Sequence, residues 1–408
     1  MDKFSEEKQK DGVLPVFLWI FLVATVSVLL ILTATLLSRN GTFAAWKTQY
    51  TEWKEEREAL KRAETAGEKT VYYFGSSDTT EYESWFGGGL AGSGGPADES
   101  GAGLEQIEKD PLREALTASP VNGSEGWWSK ATKLSGEVAL YAQARAPLYG
   151  TPHKDAEVCG YAGAGEEFRL LAVFEDGWYV VSDGQFYYCS FGSHYTIVKP
   201  ERIELDAVFT SLEAQKVFHE VDVILQNPEL PHGCEVTGLS MLLSYYGISA
   251  DKCELADKWL SKGSWGQTDF RKAFVGDPRK RVASAGCFAT VIADTANRYM
   301  QEGNLTAVAK EGVSFAELLA LVEKAPVLAW TTMDLQAPYI AQVWEVDGEE
   351  LYWQNYEHCV VLTGYDAEKG ILYGTDPLYG PCEYDAKLFS IRFQTMYSQV
   401  VQILGDTP

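Results

Sequence analysis

Residues 227–247 read NPELPHGCEVTGLSMLLSYYG. Pro231-His232-Gly233 is a turn, and beyond it Val236, Leu239, Leu242, Leu243 and Tyr246 recur at helical spacing, with Gly247 as a natural terminator. The helix therefore starts at or just after Gly233-Cys234. That places a thiol in the first turn, where unpaired backbone N–H groups and the positive end of the dipole favour a thiolate. A thiol alone is a poor nucleophile at neutral pH and needs a base.

The base candidate lies in residues 357–377, EHCVVLTGYDAEKGILYGTDP. Tyr365 and Ile371 flank the turn DAEKG, which predicts an antiparallel hairpin of 359–365 with 371–376. Setting Tyr365 opposite Ile371 puts Asp376 opposite Val360, two residues from His358 and on its face of the sheet. His358 and Asp376 are then diagonal neighbours, about 7–8 Å apart along the backbone and within side-chain reach. An imidazole oriented by a carboxylate is what a thiol nucleophile requires. The expected geometry has the Cys234 sulfur about 3.5–4 Å from one imidazole nitrogen and the Asp376 carboxylate on the other. The same reading lowers the pKa of Cys234 below that of an ordinary thiol.

Taken singly, Cys234 reads as packing, His358 as a core histidine and Asp376-Pro377 as a turn; their order and register favour chemistry. A competing arrangement takes His232, Cys234, His358 and Cys359 as four zinc ligands. Residues 358 and 359 point to opposite faces of a strand, which works against it.

Gln-Asn-Pro-Glu-Leu-Pro-His-Gly-Cys-Glu (226–235), then Glu-His-Cys-Val-Val-Leu-Thr-Gly-Tyr-Asp (357–366) and Thr-Asp-Pro (375–377), resembles the papain-like cysteine peptidases of family thirty-nine. That family contains the double-glycine leader peptidases of bacteriocin exporters and their free-standing relatives. The resemblance covers roughly residues 215–403 and keeps the order nucleophile, His, Asp. It implies Cys234 as nucleophile, His358 as base and later acid, and Asp376 as the orienting group, with no metal or cofactor. The family's oxyanion glutamine usually stands about six residues before the cysteine. Here that position is Pro228, and the nearest glutamine is Gln226.

The rest of the chain sets the context. It has 408 residues, a net charge of −24 and 46% apolar residues, with 12 Trp, 22 Tyr and 18 Phe. This composition is globular, and the acidity argues against nucleic acid or anionic lipid as partner. Residues 13–37 form a charge-free apolar run long enough to span about 30 Å of hydrocarbon. It reads as a retained transmembrane helix behind a short cytoplasmic tail, 1–12; a signal peptide is the alternative. Phe43, Trp46, Tyr50, Trp53 and Leu60 suggest a helical stalk over 40–66, and the Gly-, Ser- and Ala-rich stretch within 67–135 a flexible linker. In 136–200, short β runs separated by Asp176-Gly177 and Asp183-Gly184 predict a meander of tight hairpins, a small all-β barrel. This stretch resembles bacterial SH3-like domains, which implies a cell-wall peptide as a possible ligand; a spacer or lid is the plainer role. Cys159 and Cys189 within it are the expected disulfide pair in an exported protein.

Residues 205–408 are expected to form an α+β domain of papain-like type, helical first and then an antiparallel sheet. The combined expectation is a single-pass cell-membrane protein whose extracellular Cys-His-Asp domain hydrolyses peptide or protein substrates. The alternatives are a peptidoglycan peptide hydrolase and a non-catalytic surface protein that binds peptides or the wall.

Overall fold

The computed structural model describes residues 72–74, 130–156, 158–301 and 304–405. The expected tail, membrane span 13–37 and stalk 40–66 lie outside the described residues, as does most of the expected linker. Among the described residues no helix is long and apolar enough to cross a membrane.

The first described segment, β1 (Tyr72–Phe74), belongs to the large sheet introduced below. A smaller sheet follows: β2 (Thr132–Ala142), β3 (Ala146–Tyr149), β4 (Val158–Ala162), β5 (Glu167–Val173), β6 (Trp178–Ser182), β7 (Tyr187–Phe191) and β8 (Tyr195–Thr196). Its strands lie in the order β4-β3-β7-β6-β5-β2-β8, all antiparallel. The two Asp-Gly turns join β5 to β6 and β6 to β7 as the sequence predicts. At the second, the Asp183 carboxylate accepts the Gln185 and Phe186 amides. Strand β2 begins at Thr132, inside the stretch expected to be linker. Cys159 and Cys189, the expected disulfide pair, are not joined by a disulfide, and neither are the other five cysteines.

The larger unit opens with α1 (Leu205–Thr210), β9 (Lys216–Phe218) and α2 (Cys234–Tyr245). Short strands β10 (Lys262–Gly263) and β11 (Phe274–Val275) precede α3 (Ala289–Met300), β12 (Thr306–Lys310), α4 (Phe315–Lys324) and β13 (Val327–Thr332). A hairpin, β14 (Ile340–Val346) with β15 (Glu349–Gln354), leads into β16 (Glu357–Asp366), β17 (Ile371–Asp376) and β18 (Gly380–Asp385). Helix α5 (Ala386–Thr395) and β19 (Val400–Leu404) complete it. The large sheet runs β1-β18-β17-β16-β13-β19-β12, with β9 pairing β16 beyond the end of β13.

Helices cover both faces of this sheet. Alternation along β16 assigns them: Cys359 and Val361 join the core that contains α2 and α3, while Val360 and Leu362 join the core beneath α4 and α5. Helix α2 is buried on all sides from Cys234 to Leu243, rather than presenting one apolar face. Its length matches the sequence reading: Gly247 adopts φ 74°, and the Ile248 amide returns to the Leu243 carbonyl.

The small sheet is docked on the larger unit and does not hang from it. The Glu350 carboxylate accepts the Ser135 and Gly136 amides at 2.8 and 3.2 Å, and the Ile340 amide donates to the Tyr179 hydroxyl. Ile340 completes the small unit's own core. Arg392, buried at the end of α5, donates to the Leu335 carbonyl and to the Gln143 side chain just after β2.

Strand β9 passes close over β16 at Gly364. A Cβ there would stand 2.1 Å from the Val217 carbonyl oxygen. Gly364→Ala should therefore force β9 away from β16, at a cost of about 2 kcal/mol, the usual scale of overpacking. Thermal unfolding would show a midpoint lower by several degrees; an unchanged midpoint would mean that β9 is not held against β16.

Candidate active site

Helix α2 starts where it does because the chain turns sharply before it. The Gly233 amide bonds the Leu230 carbonyl at 3.0 Å, and the Gly233 carbonyl accepts the Thr237 amide at 3.0 Å. A Cβ on Gly233 would lie 2.6 Å from Leu230 Cβ, so only glycine fits this approach. Cys234 is thereby fixed as the first helical residue, as expected.

The hairpin delivers His358 to Asp376, by a register that differs from the predicted one at its turn. Asp366, not Tyr365, stands opposite Ile371. An irregularity at Thr363, between the Leu362 and Gly364 pairs, takes up the extra residue. Beyond it Val361 faces Thr375, which restores the predicted register and brings Asp376 to His358. His358 Nε2 lies 3.0 Å from both oxygens of Asp376. The same carboxylate accepts the Leu378 amide at 2.7 Å and the Tyr384 hydroxyl at 2.9 Å. His358 and Asp376 are each 2% exposed, Gln226 3% and Cys234 7%. Burial opposes an imidazolium at His358, but the Asp376 carboxylate outweighs it and raises the imidazole pKa.

Gln226 bridges the two halves. Its amide donates to the Pro377 carbonyl at 2.7 Å, next to Asp376, and its side-chain Nε2 donates to the Pro231 carbonyl at 2.9 Å, in the turn before Cys234. Its Oε1 is buried without a partner.

Two expectations fail at the thiol. Cys234 makes its hydrogen bond not to His358 but to its neighbour Glu235, whose Oε2 accepts at 3.3 Å. Its pKa is not lowered either: burial pushes it well above the ordinary thiol value, and the Glu235 and Glu357 carboxylates push it further. Burial and these two acids together act against what a helix start would favour. The atoms that converge on the sulfur, among the described residues, belong to Cys234, Glu235 and Glu357, all within 4.8 Å of one another. The alternative set of His232, Cys234, His358 and Cys359 is not assembled. The His232 ring is engaged by the Lys280 carbonyl and the His358 ring by Asp376.

Neither glutamate was singled out from the sequence. The available signal was a carboxylate at the second position of a helix too apolar to have a solvent face. Glu235 Oε1 accepts the Cys287 amide at 2.8 Å, and burial raises its pKa to about 7. Glu357 is half-buried as a residue, but its Oε1 is shut off from solvent without a partner, and burial raises its pKa well above the carboxylate range. Trp330, Trp344 and Trp353 are core residues; Trp330 donates to the Cys287 carbonyl and Trp344 to the Thr268 carbonyl.

These shifts make a stability prediction. Glu235, Glu357 and His358 all have folded pKa values above their unfolded ones. Their contribution is complete below the unfolded values, about 4.5 for the acids and 6.5 for the histidine, and is lost as pH rises through the folded values. The unfolding midpoint should therefore be higher near pH 5.5 than near pH 8, and Glu235→Gln should flatten that slope. A midpoint that rises with pH across this range would contradict the assignment.

The model of the Peptidase_C39 like family matches residues 218–401. The uncharacterized protein YvpB of Bacillus subtilis (strain 168) is 31% identical over 195 residues, which cover 45% of this chain and 75% of that protein. A crystal structure assigned as a C39-like peptidase from Bacillus anthracis shares 31% identity, with a TM-score of 0.43, over 47% of this chain and 99% of that one. A double-glycine-motif protease from an AMS/PCAT transporter, solved with its leader peptide, shares 16% identity and a TM-score of 0.29, over 47% of this chain and 95% of that one. With its mixed helices and strands in a papain-like arrangement, the chain belongs to the Peptidase_C39 like family.

Proposed function

We propose that the chain is a cysteine peptidase that hydrolyses peptide bonds with Cys234 as nucleophile, His358 as acid to the leaving amine and Asp376 as the group orienting the imidazole. The observation that carries this reading is the imidazole pinned through Nε2 at 3.0 Å from both Asp376 oxygens, on a hairpin tied by Gln226 to the turn that presents Cys234. His358 Nδ1 has no hydrogen-bond partner among the described residues and is left for the substrate.

In this mechanism the thiolate attacks a peptide carbonyl. The oxyanion is held by the Cys234 amide and by the second hydrogen of the Gln226 side-chain amide, whose first is bonded to Pro231. His358 protonates the departing amine and then deprotonates the water that hydrolyses the thioester. The chemistry calls for no metal or cofactor. The charge-free run 13–37 anchors the enzyme in the cell membrane with this domain outside the cell, and the all-β unit serves as an SH3-like module facing the wall.

The test is hydrolysis by the full chain in detergent, against fluorescence-quenched casein and against purified peptidoglycan. Casein cleavage that is lost in Cys234→Ser supports the reading. Cleavage of peptidoglycan alone would reassign the substrate to wall peptides. Cleavage of neither would leave a binding protein.

A further inference from the structure

Gln226 stands in a stretch with no element of its own. The connection 219–233 between β9 and α2 contains neither helix nor strand. A donor that must meet a developing oxyanion has to be held within a fraction of an ångström, and a loop by itself does not do this. The Gln226 amide is tied to the Pro377 carbonyl at 2.7 Å, and its carbonyl takes the Leu230 amide at 2.9 Å. A further restraint comes from the far side of α2.

Lys252 follows α2 in a tight turn that the Asp251 carboxylate caps by accepting the Glu254 amide at 2.8 Å. That turn is itself anchored. The Ser240 hydroxyl of α2 donates to the Ala250 carbonyl, and Leu255 and Ala256 are buried in the core that holds α2. From this base the Lys252 ammonium reaches back to the loop before the helix. It donates to the Leu225 carbonyl, to the Gln226 carbonyl at 3.2 Å and to Glu229 Oε2 at 2.9 Å. An ammonium has three hydrogens, and these acceptors match them. An ion pair with Glu229 alone would leave the head in water. Here the Lys252 side chain is only 12% exposed, and its charge is drawn onto two consecutive main-chain carbonyls. Those carbonyls belong to the two planar peptide units that meet at Gln226 Cα, so holding both fixes the direction in which the Gln226 side chain leaves the backbone.

We propose that Lys252 is a positioning residue for the oxyanion donor, clamping the loop in front of α2 so that the Gln226 amide group stays aimed at the carbonyl oxygen that Cys234 attacks. The inference rests on the peptidase reading and on Gln226 as its donor. Lys252 takes no part in the bond changes, and its protons stay on Nζ. Its influence is confined to the steps in which the substrate oxygen carries negative charge, the formation and collapse of the tetrahedral adduct. Displacement by the Cys234 thiolate at the saturated carbon of iodoacetamide builds no oxyanion and does not need the clamp.

The experiment is a double-mutant cycle on the full chain in detergent. Each variant is measured for hydrolysis of the substrate the parent cleaves, casein or peptidoglycan, and for iodoacetamide alkylation of Cys234 mapped by mass spectrometry. Lys252→Met should lower kcat by about a hundred-fold, the scale of a misplaced oxyanion donor, with KM within a few-fold of the parent. Alkylation of Cys234 should stay within a few-fold of the parent. In a Gln226→Ala background, itself slowed on the same scale, Lys252→Met should cost only about two-fold more, because the donor it serves is gone. Lys252→Gln keeps a polar head that is neutral and shorter; it should lose about ten-fold in kcat with the same pattern, and it decides the matter if the methionine variant does not fold. Full hydrolysis in the Lys252 variants, a loss that multiplies undiminished in the Gln226→Ala background, or a fall in alkylation as large as the fall in kcat overturns the inference. A parent chain that cleaves neither substrate overturns the peptidase reading, and the inference falls with it.

Discussion

Cys234→Ala should reduce peptide hydrolysis by about a million-fold, effectively to background, because no other group here forms the acyl intermediate. The substitution removes only the sulfur, from a first-turn position whose side chain is held by a single hydrogen bond to Glu235. The fold should therefore survive: Leu239, Leu242 and Leu243 keep α2 in its core. Relieving Glu235 of a buried neighbour should leave the unfolding midpoint close to that of the parent. Measuring kcat/KM alongside thermal unfolding separates the two effects. Residual activity above a hundredth of the parent's would show that Cys234 is not the nucleophile.

Asp376→Asn should lower kcat by about ten-thousand-fold, since an amide in place of the carboxylate no longer fixes the imidazole tautomer. Here the loss extends to stability. The carboxylate accepts from His358 Nε2, from the Leu378 amide and from the Tyr384 hydroxyl. Asparagine supplies one acceptor oxygen and presents an NH2 group to the remaining donors. A buried donor left unmatched costs about 1–3 kcal/mol, so the variant should unfold several degrees lower. Because His358 would lose the partner that keeps its pKa high, any remaining activity should fall off at lower pH than in the parent. An unshifted alkaline limb of the pH profile would argue that Asp376 does not act through the imidazole.

The thiol, the imidazole and their carboxylate were legible because each is placed by local rules. A Pro-His-Gly turn before an apolar helix fixes Cys234, and a six-residue strand after a short turn fixes Asp376 relative to His358. The turn departs from its predicted register by one residue, and the bulge at Thr363 cancels the difference before it reaches the site. Side-chain alternation alone cannot reveal such a bulge, since it inserts a residue that no periodicity marks. The glutamates were not legible for a different reason. A carboxylate beside a cysteine or a histidine usually reads as a solvated flank, and only the folded chain brings Glu235, Glu357 and Gly286 together from three separate segments. The raised pKa of Cys234 follows from its burial, to which that meeting adds. The docking of the small sheet was illegible too, because Gln143, Tyr179 and Ser135 meet partners in 339–392 that no local pattern connects to them.

The most direct test of the central claim is where a substrate-like electrophile bonds. The full chain, treated with a peptidyl chloromethyl ketone, should acquire one adduct, mapped by mass spectrometry to the peptide bearing Cys234, with hydrolysis lost in step. The accessible thiols Cys159 and Cys253 offer an internal control, since simple exposure would label them first. Labelling confined to Cys159 and Cys253, with Cys234 unmodified and hydrolysis intact, would contradict the account.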